Sequence, residues 1–249
     1  MLSQERYKLI LDIINDRNTV TVAELSSELD TSESTIRRDL TALDRLGKIR
    51  KFFGGAASIR QNEGFFEDKV SVRETQMHEE KTKIAKYAAT LINDSDFVYI
   101  DAGTTTSRLI DFITNDKATY VTNGITHGRK LIHRGFKAYI IGGRIKETTE
   151  AIIGTEGVAS LRSFNFSKAF IGANGIDLQA GFSTPDIEEA LIKQTAIEKS
   201  YTAFVLADNS KFRRVFPVTF SELNKCCVIT DSLPDDRFSK ETIVKEVSI

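Results

Sequence analysis

"YIDAGTTTSRLI", from Tyr99 to Ile110, reads as a strand, a turn rich in glycine and threonine, and the start of a helix. Many α/β proteins hold a phosphate in this arrangement. Glycine lets backbone amides approach an anion, hydroxyls add donors, and the helix N-terminus favours negative charge. The stretch therefore predicts an α/β domain with a candidate anion site in the turn after the strand.

Strands and helices alternate on both sides of this stretch. Apolar residues at helical spacing predict a helix before it, from Ile84 to Ile92, and one after it, from Ile125 to His133. Further apolar strands are predicted at ATYVT (118–122), KAYIIGG (137–143), KAFIGA (168–173), TAFVLAD (202–208) and CCVIT (226–230). Apolar strands that alternate with helices indicate right-handed βαβ units and a mostly parallel sheet.

Small and polar residues follow five of these strands, at the edge where such sheets bind ligands. Any one of these turns alone fits ordinary strand-to-helix chemistry, but five at one edge favour a ligand pocket. A glycine–threonine turn suits a phosphate, either Arg144 or Lys211 would add positive charge, and the acids and amides suit sugar hydroxyls. The candidate effector-binding residues are Asp101, Gly103, Thr104, Thr105, Thr106, Asn123, Gly142, Gly143, Arg144, Asn174, Asp177, Thr184, Glu188 and Lys211.

The first sixty residues have a different pattern, with three short helices and no alternation. Leu9, Ile10, Ile13 and Ile14 mark the first helix, and Val22, Leu25 and Leu29 mark the second. After "DTS", the apolar positions Ile36, Leu40, Leu43 and Leu46 mark a third helix that Ser32 caps and Gly47 stops. Two helices joined by a tight turn, followed by the basic hairpin "GKIRKFFGGA", indicate a winged helix-turn-helix.

The charge distribution supports a polyanionic partner for this part of the chain only. The 249 residues carry a net charge of −1, yet residues 37–60 hold seven Lys or Arg against Asp39 and Asp44. Asp39 adjoins the arginines, and we expect it to orient or cap them. The alternative is a helical regulatory unit that binds no DNA. The candidate DNA-binding residues are Ser32, Ser34, Thr35, Arg37, Arg38, Thr41, Arg45, Lys48, Arg50 and Lys51.

Several classes of protein are disfavoured. The sequence has neither a G-x-G-x-x-G after a strand nor a G-x-x-x-x-G-K-[ST], so we expect no dinucleotide or P-loop site and no cofactor. Cys226 and Cys227 are adjacent within an apolar run, and His78, His127 and His133 lack metal-ligand spacing, so we expect no metal and only packing or surface roles. No stretch resembles a signal peptide or a membrane helix, and the expected location is the cytoplasm.

"SESTIRRDLTALDRLGKIRKFFGGA", from Ser32 to Ala56, resembles the DNA-binding signature of DeoR-family bacterial repressors without gaps. The later residues resemble the family's sugar-phosphate sensor domain, which is related to ribose-5-phosphate isomerase. The resemblance implies an N-terminal winged helix-turn-helix (1–57), a linker (58–76) and a Rossmann-like α/β sensor domain (77–249). Phe65 and Phe66 are expected to anchor the linker against one domain.

Within the family, "DAGTTT", "GANGI", "AGFSTPDIEEALIKQ" and "VLADNSKF" look most like repressors of fructose operons. This resemblance implies a repressor that binds double-stranded operator DNA as a dimer or tetramer, with fructose 1-phosphate as its inducer. Related regulators of other phosphosugar pathways share most of these loops, so another phosphosugar is an alternative. An activator, or a repressor whose ligand is a corepressor, is a further alternative.

An isomerase with an accessory DNA-binding domain is the alternative from another class. The isomerase relatives carry an acidic pair where this chain has Asn174 and Gly175, and a lysine that "AGFSTP" lacks. Moving a proton between sugar carbons needs a general base, which Asn174 cannot supply. Asp177, Glu188 and Glu189 are the remaining conceivable acids. We therefore predict a pocket that binds without turnover and contains no catalytic residue.

Overall fold

The computed structural model describes residues 3–17, 19–58 and 70–247, and for residues 71 and 72 only their backbone. The chain divides into two compact units, Met1–Gly64 and Phe65–Ile249. Phe65 and Phe66 lie outside the described residues. None of the helices within those ranges is both long enough and apolar enough to cross a membrane.

Three helices and a small antiparallel sheet form the first unit. The sheet has the order β1-β3-β2. The apolar pattern predicts no strand between the first two helices, but Val20 is buried and pairs with Ala56, which makes a third strand. The elements are α1 (Ser3–Arg17), β1 (Thr19–Thr21), α2 (Val22–Glu28), α3 (Glu33–Arg45), β2 (Ile49–Phe52) and β3 (Gly55–Ser58).

Side-chain caps and a glycine fix the ends of the two central helices. Thr21 and Glu24 form a reciprocal capping box at the start of α2. Ser32 is the N-cap of α3, as predicted. Gly47 has φ +65°, and the N–H groups of Gly47 and Lys48 donate to the carbonyls of Asp44 and Leu43. This pattern is a Schellman motif, which ends the helix and directs the chain into β2.

Most of the apolar residues that mark the three helices belong to the core of this unit, and two of them are exposed. Ile10, Ile14 and Leu40 are fully buried. Leu9 is exposed because it lies at the edge of the apolar stripe of α1. Leu46 is 64% exposed because α3 ends at Arg45, so Leu46 does not continue its buried face.

A seven-stranded parallel sheet organises the second unit, in the order β15-β14-β12-β9-β4-β5-β6. Its strands are β4 (Phe97–Ile100), β5 (Thr119–Thr122), β6 (Lys137–Ile140), β9 (Phe166–Gly172), β12 (Ser200–Leu206), β14 (Cys227–Thr230) and β15 (Val244–Glu246). Smaller antiparallel groups are formed by β7 (Arg144–Lys146) with β8 (Ala151–Ile153), and by β10 (Gly175–Asp177), β11 (Gly181–Thr184) and β13 (Val218–Ser221).

Helices cover both faces of the parallel sheet. Val98 and Ile100 of β4 pack into one apolar cluster with α5 and α6, whereas Tyr99 packs into the other with α8 and α9. This alternation gives a three-layer α/β unit and confirms the predicted fold class. The helices are α4 (Val70–Thr75), α5 (His78–Ala89), α6 (Thr104–Phe112), α7 (Ile125–His133), α8 (Thr155–Arg162), α9 (Ile187–Glu198) and α10 (Phe238–Glu241).

Helix α4 lies within the segment that the sequence assigns to the linker. The N–H of Val70 donates to the carbonyl of Thr148 (3.3 Å), and the carbonyl of Arg73 accepts from Lys81 of α5 (2.5 Å). These bonds attach residues 70–75 to the second unit.

Candidate functional site

Helix α3 presents a polar face in the first unit. Ser34, Arg38, Thr41 and Arg45 recur at spacings of four and three residues, which puts them on one side of the helix. Ser34, Arg38 and Arg45 are exposed, and Thr41 is half-buried. Hydroxyl and guanidinium groups on one exposed helix face suit phosphates and base edges in a major groove.

Some of the predicted DNA-binding groups are already engaged within α3. Ser32 Oγ accepts from the Thr35 N–H (3.4 Å) and lies 3.0 Å from Thr35 Oγ1. Arg37 forms an exposed ion pair with Glu33 (2.8 Å), one helical turn away. Ser32 and Thr35 thus hold the start of the helix, and Arg37 must exchange Glu33 for any phosphate that it binds.

The hairpin of β2 and β3, which we call the wing, is tied to α3 through Lys51. The N–H of Lys51 donates to Asp44 Oδ1 (2.8 Å), and Lys51 Nζ donates to Thr41 Oγ1 (2.6 Å). Lys48 and Arg50 are exposed. The wing therefore adds three basic residues beside the polar face of α3.

Asp39 has a different role from the one that the sequence suggests. It is buried and accepts from Arg6 of α1, with Arg6 Nε 2.5 Å from Oδ2 and a second nitrogen 3.2 Å from Oδ1. The bond to Asp39 raises the pKa of Arg6. Asp39 thus joins α1 to α3, and the prediction that it orients or caps the neighbouring arginines was wrong.

The second candidate region is the set of turns after β4, β5, β9 and β12, which we call the carboxyl edge. Asp101 follows β4 and is almost completely buried. Its Oδ2 accepts from the Gly172 N–H (3.0 Å) and forms an ion pair with Lys193 of α9. Lys193 Nζ also donates to the Gly172 carbonyl (3.0 Å). Sequence reasoning missed Lys193 because it lies 92 residues after Asp101 and resembles an ordinary polar residue of an amphipathic helix.

The turn from Asp101 to Thr106 is braced from inside. Thr106 is fully buried, and its hydroxyl donates to the Asp101 carbonyl (2.6 Å). His127 Nε2 lies 3.2 Å from that hydroxyl and 3.3 Å from the Gly103 nitrogen. Burial, with the nearby Lys130, lowers the pKa of His127 to about 4, so its ring is neutral at pH 7. Asn123 accepts from the Ala102 N–H (2.7 Å). Thr106 and Asn123 thus support the turn. His127, for which the sequence predicts only a packing or surface role, also contacts it.

Gly103, Thr104 and Thr105 lie at the start of α6. Gly103 is the N-cap, and no side chain caps this helix. Gly103 and Thr104 line a cavity of about 400 Å³, together with His127 of α7 and the segment 147–150. Glu74, Glu147 and Glu150 also line it. A larger cavity of about 740 Å³ lies at the start of β12 and contains none of the predicted residues.

The predicted cation Arg144 already has an anionic partner. It forms an exposed ion pair with Glu188, which was also predicted. Gly143, next to it, has φ +145°, and a Cβ there would lie 2.7 Å from the Ile153 carbonyl oxygen, so only glycine fits. Glu189, the next residue of α9, is buried, accepts from Thr149 Oγ1 (2.8 Å) and pairs with Lys146 (3.1 Å).

Asn174 and Thr184 meet at the base of the β10–β11 hairpin, where Thr184 Oγ1 donates to Asn174 Oδ1 (3.1 Å). Asp177 lies at the other end of this hairpin, where its Oδ1 accepts from the N–H groups of Gln179 and Ala180. The structure thus brings Asn174 and Thr184 together. Asp177 lies about three residues further along the hairpin, where it caps the turn.

A buried polar cluster surrounds Asp208, the residue after β12. Asp208 Oδ1 accepts from the Ser210 N–H (3.1 Å), whereas Oδ2 has no hydrogen-bond partner among residues 3–17, 19–58 and 70–247. Lys81 of α5 is 97% buried, and burial lowers its pKa to about 8 while Asp208 opposes the shift. Lys211, Arg73 and Arg108 lie close enough to lower that pKa further. Sequence reasoning found Lys211 but missed Lys81 and Asp208.

Fold and sites together define a two-domain regulator, in which a DNA-reading unit precedes a ligand-binding α/β unit. Residues 6–62 match the family model of the DeoR-like helix-turn-helix domain, and residues 76–232 match that of the DeoR C-terminal sensor domain. The chain belongs to the DeoR family of DNA-binding transcriptional regulators.

Similar proteins cover the whole chain. The HTH-type transcriptional regulator FruR of Bacillus subtilis (strain 168) is 39% identical over 99% of both chains. The regulator IolR of the same organism is 34% identical over 92% of this chain and 91% of its own. A lactose phosphotransferase system repressor of Staphylococcus epidermidis is 34% identical over 100% of this chain and 99% of its own.

A solved structure, ribose 5-phosphate isomerase A from Neisseria gonorrhoeae, aligns with a TM-score of 0.42 and 16% identity. The alignment covers 55% of this chain and 55% of that one.

Proposed function

We propose that this regulator represses a sugar-utilisation operon and that a phosphorylated sugar, specifically fructose 1-phosphate, releases it from its operator. The carboxyl edge supports this proposal most directly. The start of α6 has no side-chain cap, and basic residues surround Asp208 in the same α/β unit. A helix start without a side-chain cap offers backbone donors to a phosphate. Asp208 Oδ2, which has no hydrogen-bond partner among the described residues, offers an acceptor to a sugar hydroxyl.

We assign the phosphate to Gly103, Thr104 and Thr105. Lys211 and Arg144 are the two candidate cations, and Arg144 would have to exchange Glu188 for the phosphate. The sugar hydroxyls would meet Asp208 and Asn174. Thr106, Asn123 and Asp101 support the pocket from behind, since their polar atoms bind the protein itself.

Fructose 1-phosphate is favoured by the four loop sequences that resemble fructose-operon repressors, "DAGTTT", "GANGI", "AGFSTPDIEEALIKQ" and "VLADNSKF". A phosphosugar of another pathway is the alternative, and the similarity to a lactose phosphotransferase system repressor gives it a specific basis.

Operator binding would use two copies of the first unit on one duplex, as a dimer or tetramer. Two-fold symmetric proteins bind palindromic sites, each copy placing its recognition helix in one half-site. The effector can release the operator only if it binds the state with low DNA affinity more tightly than the state with high DNA affinity. A ~100-fold preference for the state that binds DNA poorly corresponds to about 2.7 kcal/mol of coupling.

Ligand identity is tested with the full chain by thermal shift and calorimetry. The panel is fructose 1-phosphate, fructose 6-phosphate, ribose 5-phosphate and inorganic phosphate. We expect the largest stabilisation from fructose 1-phosphate, because a ligand that binds only the folded state raises its stability. No stabilisation by any sugar phosphate would refute the sensing role, and a stronger effect of another sugar would refute the assignment to fructose.

The phosphate assignment is tested by Thr104→Phe, with Thr104→Ser as the matched control. The phenylalanine ring would fill the cavity at the start of α6, whereas serine keeps the hydroxyl. We expect Thr104→Phe to bind operator DNA in a mobility-shift assay but not to be released by the sugar phosphate. Loss of both activities would mean that the turn has a structural role only.

We also propose that the pocket binds its sugar without turnover. The buried Lys193, Asp101 and Glu189 are a specific reason to test an isomerase function, since such groups transfer protons in enzymes. In this chain Asp101 Oδ2 is occupied by Lys193 and Gly172, and Glu189 by Thr149 and Lys146. Interconversion of fructose 1-phosphate or ribose 5-phosphate by the purified chain would overturn this proposal.

A further inference from the structure

The tip of the wing carries a phenylalanine that packs against none of the residues that the structure describes. Phe52 pairs with Gly55, so Phe53 and Gly54 form the two-residue turn between β2 and β3. Gly54 has φ +88°, which suits the third position of a type II turn. This geometry leaves Phe53 at the second turn position, and its side chain is fully exposed.

Phe52, the adjacent phenylalanine, is less exposed than Phe53, at 44%. The ring of Phe52 lies across the hairpin, with two of its atoms 3.0 and 3.1 Å from where a Cβ of Gly55 would be. Phe52 therefore supports the hairpin, whereas Phe53 contributes apolar surface to the solvent and no packing.

The surface around Phe53 is suited to a polyanion. Lys48, Arg50 and Lys51 are exposed on the same hairpin, and no Asp or Glu occurs between Arg45 and Ser58. Lys51 also connects the hairpin to the polar face of α3. The phenylalanine thus continues the DNA-reading surface, and charge complementarity favours DNA over an apolar protein partner.

We propose that the ring of Phe53 enters the minor groove of the operator and packs against sugars or between bases while α3 occupies the major groove. Apolar side chains act as such wedges in other minor-groove proteins, often at flexible steps, and the basic residues beside the ring would bind the flanking phosphates. The inference rests on operator binding by α3 and the wing, and it adds a residue that reads DNA by shape and deformability.

The chain contains no tryptophan, which provides a direct test. Phe53→Trp puts a single tryptophan at the wing tip, and it can be excited where the six tyrosines absorb little. The matched control is Tyr201→Trp, on a 94% exposed position of the second unit. The probe is a fluorescein-labelled duplex that the wild-type full chain enriches from a random-sequence library, and its anisotropy reports binding independently of the tryptophan.

We expect the duplex to quench and shift the emission of Phe53→Trp and to leave Tyr201→Trp unchanged. Phe53→Ala should weaken binding about 5- to 150-fold, the equivalent of the ~1–3 kcal/mol that a stacked aromatic side chain contributes. Because the Phe53 ring packs against none of the described residues, the thermal midpoint of Phe53→Ala should equal that of the wild type.

Three outcomes would overturn the inference. Unchanged emission of Phe53→Trp on a duplex that it binds would exclude insertion while leaving operator binding intact. An emission change that depends on protein concentration without DNA would mean that another copy of the chain covers the ring. A wild-type chain that enriches no duplex would refute operator binding, and the inference with it.

Discussion

Lys193→Met isolates the buried ion pair at the carboxyl edge. The side chains of Lys193 and Asp101 are 7% and 2% exposed, and Lys193 Nζ bonds to both Asp101 and the Gly172 carbonyl. Methionine preserves the length and apolar stem of lysine, so the change removes the charge and its hydrogen bonds and leaves packing nearly intact. Asp101 then retains the Gly172 N–H for Oδ2 but loses its counter-charge.

Removing one partner of a buried ion pair costs about 3–5 kcal/mol, because the other charge is left without compensation. In a domain of this size, 1 kcal/mol moves the thermal midpoint by about 2–4 °C, which gives a predicted decrease of about 6–20 °C. Lys193→Met combined with Asp101→Asn removes both charges, and we expect it to regain more than half of the loss.

The assay is thermal and urea unfolding of the full chain, followed by the near-ultraviolet circular dichroism of tyrosine. Five of the six tyrosines belong to the second unit, so this signal reports mainly on the unit that contains the pair. The control is Lys117→Met, which removes an exposed ion pair with Asp94 and should not move the midpoint. A wild-type midpoint for Lys193→Met, or a double variant less stable than the single one, would refute the reasoning.

Three further predictions address other parts of the molecule. Burial lowers the pKa of His127 to about 4 from about 6.5 in the unfolded chain, so stability should be complete above pH 6.5 and fall by about 3 kcal/mol as the pH decreases to 4. Urea unfolding across this range measures the loss, which His127→Gln should reduce; identical profiles for both chains would contradict the assignment. Asp39→Asn should lower the calorimetric midpoint of the first unit by weakening the bond to Arg6, whereas Glu33→Gln, at an exposed pair, should not; equal effects would contradict a role specific to Asp39. Burial raises the pKa of the Cys226 thiol to about 12, so a thiol reagent at pH 8 should modify the half-buried Cys227 first in the native chain, as read by mass spectrometry of the digest, and equal labelling would argue against the packing of β14.

Features set by local sequence were predictable. Ser32, Gly47 and the apolar residues of α3 act within a few positions of each other, and they located the helix and its ends. Strands such as "FVYID" were equally clear, because strands buried on both faces give continuous apolar runs. Strand β1 could not be found in this way, since three residues form a strand there only because β3 provides a partner.

Residues of the candidate site were predictable where the local sequence identifies the turn itself, as it does from Gly103 to Thr106. Lys193, Lys81 and Asp208 were not, because each lies within or beside an element whose pattern it does not disturb. These three residues stand out only because they are buried close to charged or polar groups that are distant in sequence. Both properties depend on the order of strands in the sheet. Conversely, Asp39 appeared to belong to the DNA-binding arginines because it adjoins them, whereas its side chain points to the opposite side of α3.

The glycine at the start of α6 implies a compromise between stability and ligand access. Helices α2, α3 and α9 begin with a side-chain cap, and such a cap contributes about 0.5–2 kcal/mol. That figure is relative to alanine. Gly103 gives α6 no side-chain hydrogen bond, and relative to this glycine a capping side chain would add roughly a few tenths of a kcal/mol. Asp at this position would supply the cap and also put a negative charge where we assign the phosphate. A more thermostable variant selected at Gly103 would therefore be expected to respond less to its effector, so that engineering for robustness alone would lead to a repressor that no longer releases its operator.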